Sequence, residues 1–425
     1  MSTRELPEGV QLCPPSSHAV LPGGFTRSVM TPSYSTPSST GQRIFPVDPR
    51  VPFLATHSSF LSILGPSPKL QLIAASADGR SFAHEAGVWI KETEEVFFTS
   101  NLYHDPSPRN QISKIRLDAL EEGRSVESSW DDIDPTGEQG CVTGNGATLF
   151  GDKLLFCSQG LGVEVPSALV VVDPTPPYAA RPILNNYHGR PFNSINDVVV
   201  LPASAEHTTD RADTHHAPHT TIWFTDPTYG YAQHYKPTPE LPNQVYCFNP
   251  TTGDVRVVAD GFAMPNGLCF NYEGTKLYVT DTGVVQRMSE AETITKVSAR
   301  PATIYVYDVV RPEAGADLTA AGPTLHNRRV FAYADNGVPD GIKCDQAGNV
   351  YSGCGDGIHV WNSYGTLIGK ILIPLDEIPT SLPSEKKEHK ERYCANFNFV
   401  GNKVFVMAED RIYVATLAEG VKGAL

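Results

Sequence analysis

The chain has 425 residues, and 33 Lys and Arg stand against 47 Asp and Glu, for a formal charge of −14. This acidity argues against a nucleic-acid or anionic-membrane partner, because both require a basic face. The length allows an ample core without disulfide or metal staples, in two or three domains or in one large all-β domain.

Residues 1–50 are rich in Pro and Ser (CPPSSHAVLPGG, TPSYSTPSST) and show no periodicity. They read as an irregular arm, lying over the domain or partly disordered, ahead of a single domain at 51–425. Glu5 and Glu8 interrupt the place where a signal peptide would carry its apolar run. No segment approaches the ~18 apolar residues of a membrane span. A soluble, cytoplasmic protein is the expectation, with no membrane partner and an undetermined oligomeric state.

From about Gln71 onward, short runs rich in Val, Ile, Tyr and Phe alternate with Gly, Asp, Asn and Pro turns. EEVFFTSN, TIWFTDP, TKLYVTDTG, ATIYVYDV and NKVFVMAEDRIYVATL are examples. Helical patterning is confined to short stretches such as KIRLDALEEG and SEKKEHKER, the latter reading as an exposed charged loop or helical turn. The eight cysteines show no CxxC spacing, and six lie in or beside apolar runs, so buried free thiols are expected.

The most informative feature is an internal repeat. A polar residue, often followed by Gly or Asp, heads an apolar strand, a turn and a second apolar strand. The unit occurs as HEAGVWIKETEEVFFTSN, GNGATLFGDKLLFCSQG, INDVVV…TIWFTDPTYG, PNGLCFNYEGTKLYVTDTG, PDGIKCDQAGNVYSGCGDG and ANFNFVGNKVFVMAED. The leading residues are Glu85, Asn145, Asn196, Asn266, Asp340 and Asn396. Six such hairpins, each half of a four-stranded sheet, predict an all-β, six-bladed β-propeller. KLQLIAAS, ahead of the first copy, is expected to pair into the last blade and close the ring. The longest intervals carry insertions around 203–220 and 284–300.

Innermost strands line a propeller's channel, so the residues heading them converge on its axis. Glu85, Asn145, Asn196, Asn266 and Asp340 are all oxygen donors, a set suited to a hard cation. Ca²⁺ fits first, Mg²⁺ or Mn²⁺ next, and Zn²⁺ less well. Any one of them alone would read as a residue starting a strand after a turn.

At these residues the sequence resembles the regucalcin/gluconolactonase (SMP-30-like) family, and within it the fungal lactonohydrolases. The stretches that carry the resemblance include HEAGVW, VPSALVVVDPTPPY, NSINDVVV, WFTDPTYGY, PNGLCF, YVTDTG and PDGIKCDQAGNVYSGCGDGIHVWN. The resemblance implies a six-bladed propeller holding one catalytic divalent ion, usually Ca²⁺, and an enzyme that opens lactones of sugar acids and related hydroxy acids. It places the metal ligands on Glu85, Asn196, Asn266 and Asp340. Asn145 matches a family Asn that touches substrate or supports the ligands. Gln159 stands where related enzymes tend to have Glu, and SIND replaces the usual SPND or SLND.

Lactone hydrolysis needs a polarised carbonyl and an activated water. Asp340 is the expected general base, with Glu85 beside it as the second catalytic carboxylate. The absence of a GxSxG elbow argues against an α/β-hydrolase. Asn145, Gln159, Tyr229 and Trp89 are the candidate substrate contacts, although an alternating strand would bury Trp89 between blades. Tyr103, Tyr187, Phe192 and Tyr231 are further aromatic candidates near the mouth. His84 and His359 could face the channel as proton shuttles or be structural, and the neighbours of His359 in GIHVW look like core. The HHAPH tract at His215–His219 reads as a solvated loop, and Asp226, Asp281 and Asp356 as turn residues. Two other classes compete: a non-hydrolytic enzyme of fungal secondary metabolism, of cyclase or pericyclase type, and a non-catalytic binding propeller. Retention of the oxygen ligands argues against the last, since a scaffold gains nothing from unneutralised channel carboxylates.

Overall fold

The computed structural model describes residues 5–21, 24–33, 45, 47–48, 50–117, 130–137, 140–202, 220–286, 295–313, 322–374 and 393–424. The His215–His219 tract, the SEKKEHKER stretch, nearly all of the insertion at 203–220 and residues 287–294 of that at 284–300 lie outside these residues.

Six antiparallel sheets follow one another along the chain as the blades of a propeller. Their inner strands are Glu85–Ile90, Gly144–Phe150, Val198–Leu201, Pro265–Phe270, Ile342–Cys344 and Phe397–Val400, in blades 1 to 6. In each blade the second strand is the partner in the repeated hairpin, as with Glu95–Thr99 on Glu85–Ile90. Lys69–Ala75 pairs antiparallel with Arg411–Thr416 and completes blade 6, so the first strand of the domain closes the ring as expected.

The blades are held by apolar side chains interleaved between neighbouring sheets. Leu155, Phe192, Phe224 and Tyr246 fill the gap between blades 2 and 3, and Trp223, Leu268, Phe270 and Leu277 that between blades 3 and 4. Truncating a side chain like Trp223, wholly buried here, costs about 3–5 kcal/mol. All eight cysteines are free and seven are buried, as their apolar settings suggest.

Two elements differ from the sequence expectation. Val10–Leu12 is not irregular: it pairs in parallel with Phe53–Ala55, which pairs with Leu367–Leu372 and extends blade 5 outward. Pairing there covers a sheet edge that would otherwise expose free backbone groups. KIRLDALEEG does not begin as a helix, because Ile112–Arg116 is the third strand of blade 1, bonded on both sides. Two-sided ladder pairing outweighs local helical patterning. The only helices of five or four residues among the described residues are Phe60–Leu64 and Tyr229–Ala232. No helix of the described residues is long and apolar enough to cross a membrane.

Candidate cation and active site

At one end of the axis the inner strands start, and Glu85, Asn145, Asn196, Asn266 and Asp340 line a single cavity of about 280 Å³. Glycine allows their crowding. A Cβ at Gly146 would stand 2.7 Å from the Asn196 carbonyl of the next blade, and one at Gly267 would run into the Asp340 carbonyl. A Cβ at Gly341 would strike the Asn396 side chain, again one blade on. The Gly after Asn145, Asn266 and Asp340 therefore makes room for the polar residue heading the following blade.

Threonines lock the same residues from behind. Thr99, Thr225 and Thr280 lie at or one residue before the ends of second strands, and their hydroxyls donate to the carbonyls of Asn145 (3.2 Å), Asn266 (2.6 Å) and Asp340 (2.9 Å). The next residue can act as well. Asp226 accepts the Asn193 and Ser194 N–H groups, and Asp281 those of Ala263 and Met264, at equal offsets before Asn196 and Asn266. The turn roles expected for Asp226 and Asp281 match this geometry. Asp356 differs, forming an ion pair with Lys370 and a hydrogen bond with His359 Nε2.

Two carboxylates share the buried site. Burial, and then the charge of Asp340, push the Glu85 carboxyl up to about 8. Burial pushes Asp340 up to about 7. Asn396 donates to Glu85 Oε2 at 2.7 Å. Asn145 Oδ1, Asn196 Oδ1 and Asp340 Oδ1 are buried with no hydrogen-bond partner among the described residues. A buried acceptor left unsatisfied costs about 1–3 kcal/mol, so these three, one of them on Asp340, beside the Glu85 carboxylate call for a cation. The donor set thus fits a divalent ion held by Glu85, Asn196, Asn266 and Asp340.

One nitrogen donor joins the oxygens. Ligand atoms of His84, Glu85 and Asp340 lie within 4.8 Å of one another. His84 Nδ1 is hydrogen-bonded to Glu409 Oε1, and Asn101 donates to Glu409 Oε2 at 3.0 Å. Burial pushes Glu409 up, but the His84 ring beside it prevails and holds the carboxyl below its ordinary value.

The candidate substrate contacts divide. Asn145, Gln159 and Tyr229 line the cavity. Gln159 accepts the Tyr235 hydroxyl, and Tyr229 OH meets Thr282 Oγ1 while receiving the Asn266 amide at 3.2 Å. Trp89 does not join them. It stands four residues beyond Glu85, roughly 13 Å along an extended strand, and packs between blades 1 and 6 with Phe98 and Phe405. Phe192 and Tyr187 pack between blades 2 and 3, and Tyr103 and Tyr231 are not among the cavity's lining residues. His359 is buried against Asp356 at 2.6 Å, away from the cavity lining. Met30 of the N-terminal arm, Lys296, Asn101 and Tyr393 line the cavity without having been expected there. The supporting threonines carried a signal: Thr recurs at one place in FFTS, WFTD and YVTD.

Comparison with known proteins identifies the family and the fold. The family model described as SMP-30/Gluconolactonase/LRE-like region matches residues 83–306 and 295–383. The lactonohydrolase oryL of Aspergillus oryzae (strain ATCC 42149 / RIB 40) is 29% identical over 73% of this chain. The chain spans 64% of the length of that relative. The gluconolactonase of Zymomonas mobilis subsp. mobilis is 26% identical over 73% of this chain and 74% of its own. The solved structure of the gluconolactonase XC5397 from Xanthomonas campestris superposes with a TM-score of 0.57. It covers 86% of this chain and 95% of that one at 21% identity, a likeness of fold. With the family model spanning most of the propeller and the repeated polar heads gathered at one channel mouth, the chain belongs to the SMP-30/gluconolactonase/LRE-like family.

Proposed function

We propose that the protein is a divalent-cation-dependent hydrolase that opens the lactone ring of a sugar acid or related hydroxy acid. The observation that carries this reading is the set of three orphaned oxygens on Asn145, Asn196 and Asp340 beside the Glu85 carboxylate. Family membership and relatives named lactonohydrolase and gluconolactonase support the substrate class. A cavity of about 280 Å³ accommodates a small molecule.

Glu85, Asn196, Asn266 and Asp340 would hold the ion, and the oxygens alone favour Ca²⁺, with Mg²⁺ or Mn²⁺ as alternatives. When bound, such an ion supplies Lewis-acid polarisation of the lactone carbonyl, worth several kcal/mol. Asp340, at the cavity wall, takes a proton from the water that adds to the carbonyl carbon. The ring C–O bond then breaks, and the same proton passes to the departing ring oxygen, giving the hydroxy acid. Asn145, Gln159 and Tyr229, polar residues lining the same cavity, orient the substrate against Asp340.

The test is hydrolysis of a panel of aldonolactones and simple hydroxy-acid lactones before and after EDTA treatment and gel filtration. Activity should vanish on chelation and return with a divalent ion. Undiminished turnover by rigorously metal-free protein would overturn the reading.

A further inference from the structure

We infer that the propeller axis carries a second ligand site, at the end away from Glu85 and Asp340, and that it takes a small carboxylate with an apolar body. The inference stands apart from the reading of the catalytic end, because the two cavities share no lining residue.

The topology builds the site. Past their polar heads, the inner strands line a second cavity of about 430 Å³, larger than the one at the mouth. Val88, Leu149, Val199, Phe270, Lys343 and Phe399 come one from each of the six blades, so this cavity also sits on the axis. Each lies three or four residues beyond the head of its blade, roughly 10–13 Å along an extended strand. Lys91, just past the end of Glu85–Ile90, and Gly401, just past the end of Phe397–Val400, line it too. Lys91 is exposed, so the cavity reaches the surface at the end of the axis opposite the mouth.

Charge selects the ligand. In a chain of net charge −14, this wall carries Lys91, Lys343 and Lys422 and, among the described residues, no Asp or Glu. Residues 422–424 are fixed along blade 5, where the Gln346 N–H donates to the Lys422 carbonyl at 2.9 Å and the Ala424 N–H to the Cys344 carbonyl at 2.8 Å. That pairing brings Lys422 to the rim on the side of Lys343. None of the three ammonium groups forms an ion pair or a hydrogen bond among the described residues. Lys343, the half-buried one, acts on the buried carboxylate of Asp197. Both oxygens of that carboxylate are engaged by backbone, Oδ1 by the Val198 N–H at 2.9 Å and Oδ2 by the Leu268 N–H at 3.2 Å. Trp89 is also on this wall, and its indole N–H is buried without a hydrogen-bond partner among the described residues. The unmatched groups are therefore donors and cations, which an anion satisfies.

The rest of the wall decides what the anion is attached to. Val88, Leu149, Val199, Phe270 and Phe399 offer apolar surface that a bare inorganic anion would leave uncovered. Lysine meets an anion as a point charge on a flexible stem, and its stem lies readily along apolar surface. A carboxylate headgroup on a hydrocarbon body matches both parts, at a volume ordinary for small-ligand cavities.

The experiment is calorimetric titration of the metal-stripped full-length protein with octanoate, 1-octanol and inorganic phosphate, each alone. Octanoate should bind, and octanol and phosphate should each be weaker by about tenfold or more. Lys343→Met, which keeps the stem and removes the charge, should weaken octanoate by about 10–100-fold and leave octanol unchanged. A readout free of any folding defect is anomalous diffraction from unsubstituted crystals soaked in 8-bromooctanoate, where bromine should appear between Leu149 and Phe270. Absence of octanoate binding, octanol or phosphate binding as tightly, or bromine at the mouth beside Asp340 would overturn the second site. Each of these leaves the proposed function standing, since that reading is tested by chelation at the other cavity.

Discussion

Asn396 heads the last blade and donates its amide to Glu85 Oε2, heading the first, across 2.7 Å. Ring closure thus does more than join sheets, because it orients one of the two carboxylates at the channel mouth. Asn396 Oδ1 meanwhile accepts the Phe397 N–H at 2.8 Å, which fixes the amide itself. Asn396→Ala should lower divalent-ion affinity and kcat/KM together by about 10–100-fold, as loss of a ligand's supporting hydrogen bond generally does. Asn396→Asp should be worse, since it sets a third carboxylate beside Glu85 and Asp340. Calorimetry and steady-state kinetics on the two variants check this, and wild-type affinity in Asn396→Asp would sink it.

Gly267 separates Asn266 from the Asp340 carbonyl of the next blade, where a Cβ would come closer than real Cβ atoms do. Because that neighbour is backbone, relief requires the two inner strands to part. Gly267→Ala should cost about 1–3 kcal/mol, the usual range for overpacking, and should reduce activity more than its effect on melting temperature suggests. The control is Gly253→Ala, at an exposed turn where nothing lies near the added Cβ, although its positive φ adds some strain. Equal activity loss in both variants would show that crowding at the channel mouth is not the cause.

Asp340 and Glu85 are both buried carboxylates raised above their ordinary values. Asp340→Asn and Glu85→Gln should each abolish lactone hydrolysis. In metal-free protein the same substitutions should raise the melting temperature by a few degrees, because they remove buried charge without changing shape. Thermal melts with and without divalent ion would show it: the ion should stabilise the unsubstituted protein and leave the variants nearly unmoved. Variants that lose both activity and stability in metal-free buffer would point to a structural role instead.

The repeat was legible in the sequence because its signals are local. A polar head, two apolar strands and a turn recur within about twenty residues, and alternation names the buried face. The residues heading each copy could therefore be placed on one axis before any contact was known. Trp89 shows the limit of that reasoning, since four residues along a strand from Glu85 are enough to leave the mouth for the gap between blades. His84 and Glu409 lie 325 residues apart, and only ring closure makes them neighbours. The crowding at Gly146, Gly267 and Gly341 was equally hidden, because each meets backbone or side chain of the following blade. Val10–Leu12 is a three-residue strand with little burial, too short for periodicity to reveal.

Blade 5 contains a buried charge cluster that links pH to stability. Lys370 Nζ lies 2.7 Å from Asp335 and 3.0 Å from Asp356, and His359 Nε2 lies 2.6 Å from Asp356. Burial alone would raise Asp356, but Lys370 and His359 overcome it and hold the carboxyl below its ordinary 3.8. Burial alone would lower Lys370, but Asp335 and Asp356 raise it from 10.5 to about 12. A depressed carboxyl stabilises the fold above its unfolded value and loses that contribution as pH falls below 3.8. A raised amine stabilises below its unfolded value of 10.5 and loses that contribution as pH climbs toward about 12. The cluster's stabilisation should therefore be flat between these limits and decay on both sides. Lys370→Met strands Asp356 with His359 alone and should cost about 3–5 kcal/mol at neutral pH. Urea melts from pH 2 to 7 should show the acid-side decline shrink in Lys370→Met, because less charge stabilisation remains to lose. A variant with wild-type stability at neutral pH, or with an undiminished acid-side decline, would show that the ion pairs do not supply it.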